Sequence, residues 1–206
     1  MAATDRTTRL PGSAPAPTER GPGRVDAARN RALILDAARR LIAERGPDAV
    51  STDDIAVAAG VGKGTVFRRF GSRAALMMVL LDEDETAHQH SFMFGPPPLG
   101  PGAPALQRLL AYGHDRLRFV HSHLALLCDA VRDPQMRYGG PAGLHHAHIR
   151  TLLDTDGTTG NLDAQADALL SLLDPGYVHF QMTERGRSLD DLTTAWQDTA
   201  RKLCGH

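Results

Sequence analysis

Apolar residues recur at spacings of three and four along most of this chain, and that spacing predicts α-helices. In the first clear case, Leu33, Ala37 and Leu41 follow one another on one helix face, and Gly46-Pro47 ends the helix. No stretch alternates apolar and polar residues with a period of two, which is the pattern of a strand. The sequence therefore predicts an all-α fold of about nine helices.

Glycine- and proline-rich loops separate the predicted helices. These helices span residues 25–44, 51–59, 63–70, 72–88, 105–131, 142–153, 162–185 and 189–203. Gly113 predicts a kink or break in the fifth helix, and Pro175-Gly176 predicts a kink or junction in the seventh. Residues 1–24 hold four prolines and no periodic pattern, so a disordered tail is predicted there. After this tail, the sequence predicts a small helical domain at 25–75 and a larger helical domain at 76–206.

Composition indicates a globular cytoplasmic protein. Hydrophobic residues make up 42% of the 206 positions and charged residues 23%, which allows a buried core. Only two cysteines are present, so we do not expect a disulfide scaffold. We expect instead that the protein works in a reducing cytoplasm. No apolar run reaches the roughly 20 residues that a bilayer span requires, so no membrane association is predicted.

Charge divides the chain into a basic first third and an acidic remainder. Residues 1–76 hold 13 basic and 8 acidic side chains, a balance of +5, whereas residues 77–206 hold 10 and 16, a balance of −6. Such asymmetry is expected when one part of a protein meets a polyanion such as nucleic acid. Chance segregation of charge is the alternative interpretation.

Residues 51–70 have the spacing of a helix-turn-helix unit, with a tight turn from Gly60 to Gly62 between two short helices. Gly60 permits the positive φ that such a turn needs, and Val61 is expected to fill the crease between the helices. A helix enters the major groove, about 12 Å wide, only if its free side is not bulky. Small and basic residues from Lys63 onward meet that demand, whereas a generic helical hairpin is the alternative.

The residues that carry this unit are Thr52-Asp53-Asp54-Ile55-Ala56, Ala59-Gly60-Val61-Gly62-Lys63-Gly64-Thr65-Val66-Phe67, Phe70 and Ser72-Arg73-Ala74-Ala75-Leu76. They resemble the DNA-binding region of the TetR family of bacterial one-component transcriptional regulators, over about residues 30–80. The resemblance implies a three-helix DNA-binding domain whose DNA contacts are made by Thr52, Lys63, Gly64, Thr65, Phe67, Arg68, Arg69 and Arg73.

Two of these positions depart from the family pattern. Phe67 stands where the family usually has Tyr, so a hydroxyl that would reach a phosphate is missing. Arg69 stands where His is usual, and we expect it to act as a charged phosphate clamp.

The resemblance also implies a ligand-binding and dimerisation domain in the acidic remainder. It implies a homodimeric repressor on a near-palindromic double-stranded DNA operator, released by an unidentified small-molecule effector. The candidate pocket residues, chosen by position and side-chain type, are Phe92, Met93, Tyr112, Phe119, His123, Tyr138, His145, His148 and Tyr177; ordinary packing is the alternative for most of them. The implied dimer-interface residues are Leu169, Leu172, Leu173, Leu192 and Trp196, for which ordinary packing within the chain is the alternative.

All ten histidines lie at or beyond residue 88, and His145 and His148 share a helix face. A metal site needs three or four converging ligands, which this spacing does not establish, so no metal and no cofactor are predicted. A metal-ion-responsive repressor that uses these histidines stays open as an alternative.

Enzyme signatures are sparse in the sequence. Glu85 and His88 form a Glu-x-x-His pair, the spacing used by di-iron bundle enzymes. Such enzymes need a second pair and two further Glu, but beyond residue 76 the chain has only Glu83, Glu85 and Glu184. The sequence therefore predicts no enzyme, with a helical metalloenzyme as a distant alternative.

Overall fold

The computed structural model describes residues 22–130 and 141–205. Within them the chain forms ten helices and no strand, so the all-α prediction is confirmed. The helices are α1 (Pro22–Arg45), α2 (Thr52–Ala59), α3 (Lys63–Phe70), α4 (Arg73–Phe94), α5 (Ala105–Ser122), α6 (Leu124–Ala130), α7 (Pro141–Thr155), α8 (Leu162–Ser171), α9 (Pro175–Thr183) and α10 (Leu189–Leu203). No helix in the described residues has the length and apolar composition to span a bilayer.

The ends of two helices differ from the prediction. Helix α1 begins at Pro22, inside the predicted tail, because the first turn of a helix accommodates a proline without losing a hydrogen bond. Residues 1–21, the rest of that tail, lie outside the described residues. Helix α4 continues to Phe94, beyond the predicted end near His88.

The predicted helix at 105–131 is broken at His123 and not at Gly113. Gly113 stays helical and buried because Trp196 of α10 packs directly on it. A Cβ placed on Gly113 would lie 2.1 Å from two carbons of the Trp196 ring, so only glycine allows α5 and α10 to approach this closely. The junction predicted at Pro175-Gly176 is confirmed, since α8 ends at Ser171 and α9 begins at Pro175.

Two hydrophobic cores organise the helices. The first core joins α1, α2, α3 and the start of α4 through residues such as Ile34, Ile55, Val66 and Leu76. This core holds α1, α2 and α3 together in one small unit, which we call the first unit. The outer side of α3 is left in solvent.

The second core is built by α5, α7, α8, α9 and α10, with Phe92 from the end of α4 inside it. Trp196 lies at its centre, and its indole N–H donates to the Leu169 carbonyl at 2.9 Å. Helix α4 belongs to both cores, since Leu76 packs in the first and Leu81 in the second. It is therefore a continuous helical connection between the two cores.

Candidate nucleic-acid interface and ligand pocket

Helices α2 and α3 form the helix-turn-helix that the sequence predicts. The Ser51 hydroxyl accepts the Asp54 backbone N–H at 3.1 Å, and the Asp54 carboxylate accepts the Ser51 backbone N–H at 3.0 Å. This reciprocal capping starts α2 at Thr52. Gly60 ends α2 with a φ of 66°, a conformation that glycine adopts readily. Val61 then packs on the first core, as predicted.

The outer face of α3 is narrow and exposed. Val66 faces the first core, whereas Lys63, Arg68 and Arg69 are exposed. Gly64 is also exposed, and a Cβ placed there would meet no atom within 4 Å. Such a helix can approach another surface closely and bring cations to it.

Phe67 adds an apolar group to this cationic face. It is 70% exposed, which is unusual for a large hydrophobic residue. Thr65 is half-buried, and its hydroxyl accepts the Arg68 guanidinium at 3.4 Å. Lys63 lies 2.8 Å from the Asp53 carboxylate in an exposed ion pair that contributes little to stability.

The remaining predicted contact residues differ in their exposure and in the hydrogen bonds that they make within the chain. The Arg69 guanidinium donates to the Ala27 carbonyl of α1 at 2.5 Å and remains exposed. Arg73 donates to the Val50 carbonyl at 2.7 Å and also to the Pro47 carbonyl. Arg73 therefore ties the loop before α2 to α4, and its predicted DNA contact remains a prediction. Thr52, the first residue of α2, is half-buried.

The larger unit, formed by the helices around the second core, contains a cavity of about 850 Å³ among α4, α5, α7, α8 and α9. This volume is within the size range of small-molecule sites. Its apolar walls include Met78, Leu81, Leu127, Leu170, Leu173 and Tyr177. Glu85, Arg116 and His145 provide polar groups on one side. Further polar residues line the cavity as well, namely Asp82, His146, Asp167, Ser171 and Asp174. The cavity thus combines apolar walls with several polar and charged groups.

The cavity includes two of the predicted pocket residues, His145 and Tyr177. Phe119 lines a second cavity of about 450 Å³ together with His88. Phe92, Tyr112 and His148 instead pack ring to ring inside the second core, since helical spacing alone does not tell a core position from a cavity wall. Met93 packs against that core, His123 pairs with Asp84, and Tyr138 lies outside the described residues.

A buried polar cluster lies beside the larger cavity. His145 Nε2 donates to Glu85 Oε1 at 2.6 Å, and Arg116 donates to Glu85 Oε2 at 2.6 Å. The Tyr112 hydroxyl donates to His145 Nδ1 at 2.9 Å, which fits the same histidine tautomer. Gln89 Nε2 also donates to Glu85 Oε1, at 3.1 Å, so this oxygen has two donors and Oε2 has one.

The pKa values of the cluster follow from burial and charge. Burial alone would raise the pKa of Glu85, but the His145 hydrogen bond and the Arg116 charge outweigh it and hold that pKa well below its usual range. Burial lowers the pKa of His88 to about 3 and that of His148 to about 4, with nearby arginines acting in the same direction. Glu85 is therefore ionised, and His88 and His148 are neutral, at neutral pH.

Four consecutive acidic residues on α4 connect this cluster to the first unit. Glu83 pairs with Arg31 and, at 3.0 Å, with Arg39, both on α1. Asp84 pairs with Arg39 at 2.8 Å. Glu85, the next residue, faces the cavity, so adjacent positions of one helix contact the two units.

Comparison with known proteins places the first unit in a family. Residues 34–78 match the family model for bacterial regulatory proteins of the tetR family, and this range contains α2, α3 and their turn. This part of the chain is therefore of the TetR type. The resemblance predicted from the sequence is thus confirmed.

Curated helix-turn-helix (HTH-type) transcriptional regulators align with this part of the chain. The transcriptional repressor Rv3405c of Mycobacterium tuberculosis is 51% identical over 51 residues, which are 25% of this chain and 27% of the relative. The regulator TtgR of Pseudomonas putida is 37% identical over 65 residues, which are 32% of this chain and 31% of the relative. The aligned part therefore spans about a quarter to a third of these relatives' length.

Solved structures extend the likeness to the whole TetR-family fold. A TetR/AcrR-family regulator from Thermobifida fusca has a TM-score of 0.60 at 20% identity, covering 82% of this chain and 95% of that one. A regulator from Saccharomonospora viridis, solved in complex with choline, has a TM-score of 0.65 at 23% identity, covering 83% and 95%. At these identities the likeness shows the fold.

The predicted dimer-interface residues lie mostly inside the single chain. Leu169, Leu173, Leu192 and Trp196 are buried in the second core, and Leu172 is half-buried. Helix α8 packs against α7, and α10 packs against α5. The structure thus favours the intrachain alternative for the four buried residues, and a dimer contact through them remains a prediction.

Sequence reasoning missed two residues of the larger cavity's polar side. The sequence shows Glu85 only as half of a Glu-x-x-His pair. Nothing in the sequence around Arg116 separates it from the other arginines as a pocket residue. An ionisable residue at a position where the helix period demands an apolar one is the signal that would have identified Glu85.

Proposed function

We propose that this chain is a DNA-binding transcriptional regulator, a homodimeric repressor released from a near-palindromic operator by a small-molecule effector. The observation that carries the proposal is the exposed, narrow and cationic face of α3 in a TetR-type helix-turn-helix. A single such unit makes few base contacts, so two copies on two half-sites are needed for specificity.

Each side chain of this face suits one kind of DNA contact. Lys63 and Arg68 are the candidates for base edges or nearby phosphates, and guanine is the commonest base partner of both types. Arg69 supplies a phosphate contact once it leaves the Ala27 carbonyl. Phe67 lacks a hydroxyl for phosphate but can lie against the methyl group of a thymine.

Effector release acts through α4 in this proposal. The cavity of about 850 Å³ lies against α4, and the same helix is held to α1 by Glu83 and Asp84. An effector shifts the protein only if it binds the conformation with the wrong half-site spacing more tightly. A shift from 99% DNA-competent to 1% requires about a 10⁴-fold preference for that conformation.

The test begins with an operator obtained by selection from random duplex DNA and by footprinting upstream of the gene. Lys63→Ala with Arg69→Ala is expected to abolish specific binding in band-shift titrations while helical content stays unchanged. Loss of a base contact costs at least about 1 kcal/mol per copy, so two copies of Lys63 alone account for at least about 30-fold.

Arg187→Ala provides the matched control, because Arg187 is exposed and lies far from α3 in the sequence. It is expected to bind like the wild type. Unchanged affinity of the double variant for the selected operator would refute the proposed interface. Candidate effectors are then added to the footprint, where release of the operator is the expected result.

A further inference from the structure

We propose that Glu85, His88 and His145 form a binding site for one divalent transition-metal ion of the zinc type. Each of the three buried residues offers one ligand atom, and these atoms all lie within 4.8 Å of one another. Glu85 and His88 are three residues apart on α4 and share one face of it, and His145 faces them from α7. Helices thus position all three donors, which keeps their geometry precise.

His88 supplies an independent indication of a missing ligand. Its side chain is 4% exposed, yet within the described chain neither ring nitrogen makes a hydrogen bond. Nε2 lies 3.3 Å from an Asp115 carboxylate oxygen, without the alignment of a hydrogen bond. A buried imidazole with two unpartnered nitrogens costs free energy, and a metal ion bound to one of them removes part of that cost.

The dimensions of the cluster fit a metal ion after small side-chain movements. Ligand atoms around a tetrahedral ion with bonds of 2.0–2.1 Å lie about 3.4 Å apart. His145 Nε2 and Glu85 Oε1 are 2.6 Å apart, so they must separate by less than about 1 Å. These two atoms now form a hydrogen bond with each other, which the ion would replace when it binds between them.

Two neighbouring residues hold the ligands in the orientation that a metal needs. The Tyr112 hydroxyl, 2.9 Å from His145 Nδ1, can accept a hydrogen bond from Nδ1–H as well as donate one to Nδ1. It therefore permits the tautomer in which Nε2 carries no proton and is free to bind the ion. Arg116 binds Glu85 Oε2, so Oε1 can face the ion with its second lone pair while it accepts the Gln89 side-chain N–H at 3.1 Å. Asp115, beside His88, offsets the positive charge that Arg116 brings.

Two imidazoles and one carboxylate suit zinc and similar first-row ions, and three protein ligands leave a coordination position open. Glu85 and His145 both line the larger cavity, so water or a donor atom of an effector can reach that position. The ion would thereby become part of the effector site on α4. This regulatory step rests on the proposed function, whereas metal binding itself does not.

The test uses the full chain, stripped of metal with a chelator and then titrated with Zn²⁺ against a chromophoric competitor. One Zn²⁺ per chain is expected. His88→Gln is the principal variant because His88 makes no hydrogen bond that the change would break, and it is expected to lower Zn²⁺ affinity more than 100-fold. Tyr112→Phe removes only a positioning hydroxyl and is expected to lower affinity about 10- to 100-fold.

His90→Gln, an exposed histidine on the same helix, is the matched control and should bind Zn²⁺ like the wild type. Substitution of Co²⁺ gives a second readout, since its visible spectrum reports a change of ligand at a folded site. Absence of stoichiometric Zn²⁺ binding by the wild type, or equal affinity in wild type and His88→Gln, overturns the proposal. Band shifts with the metal-free chain test DNA binding separately, so the two proposals can fail independently.

Discussion

Arg116→Met is expected to destabilise the chain strongly by leaving the Glu85 carboxylate buried without its cation. The two side chains are 11% and 9% exposed, and the pair is 2.6 Å apart. Removing one partner of such a buried pair costs about 3–5 kcal/mol, a large part of the roughly 5–15 kcal/mol that stabilises a typical domain. Methionine preserves much of the packing of the arginine stem, although the contact of Arg116 with the Phe119 ring at 4.8 Å is lost.

The assay is urea unfolding at pH 7, followed by circular dichroism. Arg118→Met is the matched control, since Arg118 is exposed two residues further along α5, and it should change the free energy of unfolding by no more than about 0.5 kcal/mol. Adding Glu85→Gln to Arg116→Met removes the orphaned charge, and it is expected to restore about 0.5–3 kcal/mol. The reasoning is wrong if Arg116→Met costs no more than Arg118→Met, or if the double variant is no more stable than the single one.

Three further predictions test the packing, the connection between the two units, and the buried histidines. Gly113→Ala, which normally stabilises a helix by up to about 1 kcal/mol, should here cost about 1–3 kcal/mol in urea unfolding, because the new methyl group meets the Trp196 ring. Arg39→Ala removes the ion pairs that join Arg39 of α1 to Glu83 and Asp84 of α4, so hydrogen exchange should quicken in α1–α3 and stay unchanged in α5 and α10; equal changes in both units would contradict the connection. Burial lowers the pKa of His148 to about 4 and that of His88 to about 3, from a usual 6.5, so the unfolded chain binds more protons between pH 6.5 and 4. The free energy of unfolding should therefore decrease as the pH is lowered from 6.5 to 4. His148→Gln should reduce this dependence on pH, measured by urea titrations at several pH values.

The helix-turn-helix could be predicted because its determinants are local in sequence. The Ser51–Asp54 capping box and the left-handed Gly60 each act within a few residues, and the apolar spacing of α2 and α3 needs no distant partner. The cationic side of α3 then follows from which residues are not apolar. Local chemistry of this kind can be read before any packing is known.

The effector region could not be predicted in the same way because its determinants are long-range. Gly113 reads as a helix breaker until Trp196, more than 80 residues away, is seen to occupy its face. His145 and Glu85 are 60 residues apart in sequence and meet only because α7 packs near α4. Apolar residues of α8 and α10 fit a dimer interface or an intrachain core equally well by their spacing, and only the packing with α5 and α7 shows that the buried ones lie in the intrachain core.

The central feature of the regulatory proposal is the direction in which successive residues of α4 point. Each residue of a helix is rotated about 100° from the one before, so neighbouring positions face different partners. Glu83 and Asp84 accordingly reach Arg39 on α1, while Glu85 reaches Arg116 and His145 at the cavity. Because these residues share a rigid helical backbone, an effector or ion that rotates or shifts α4 through Glu85 must also displace the contacts of Glu83 and Asp84. The contacts to α1 would then break or re-form as the effector site fills, and the position of α3 on DNA would change with them.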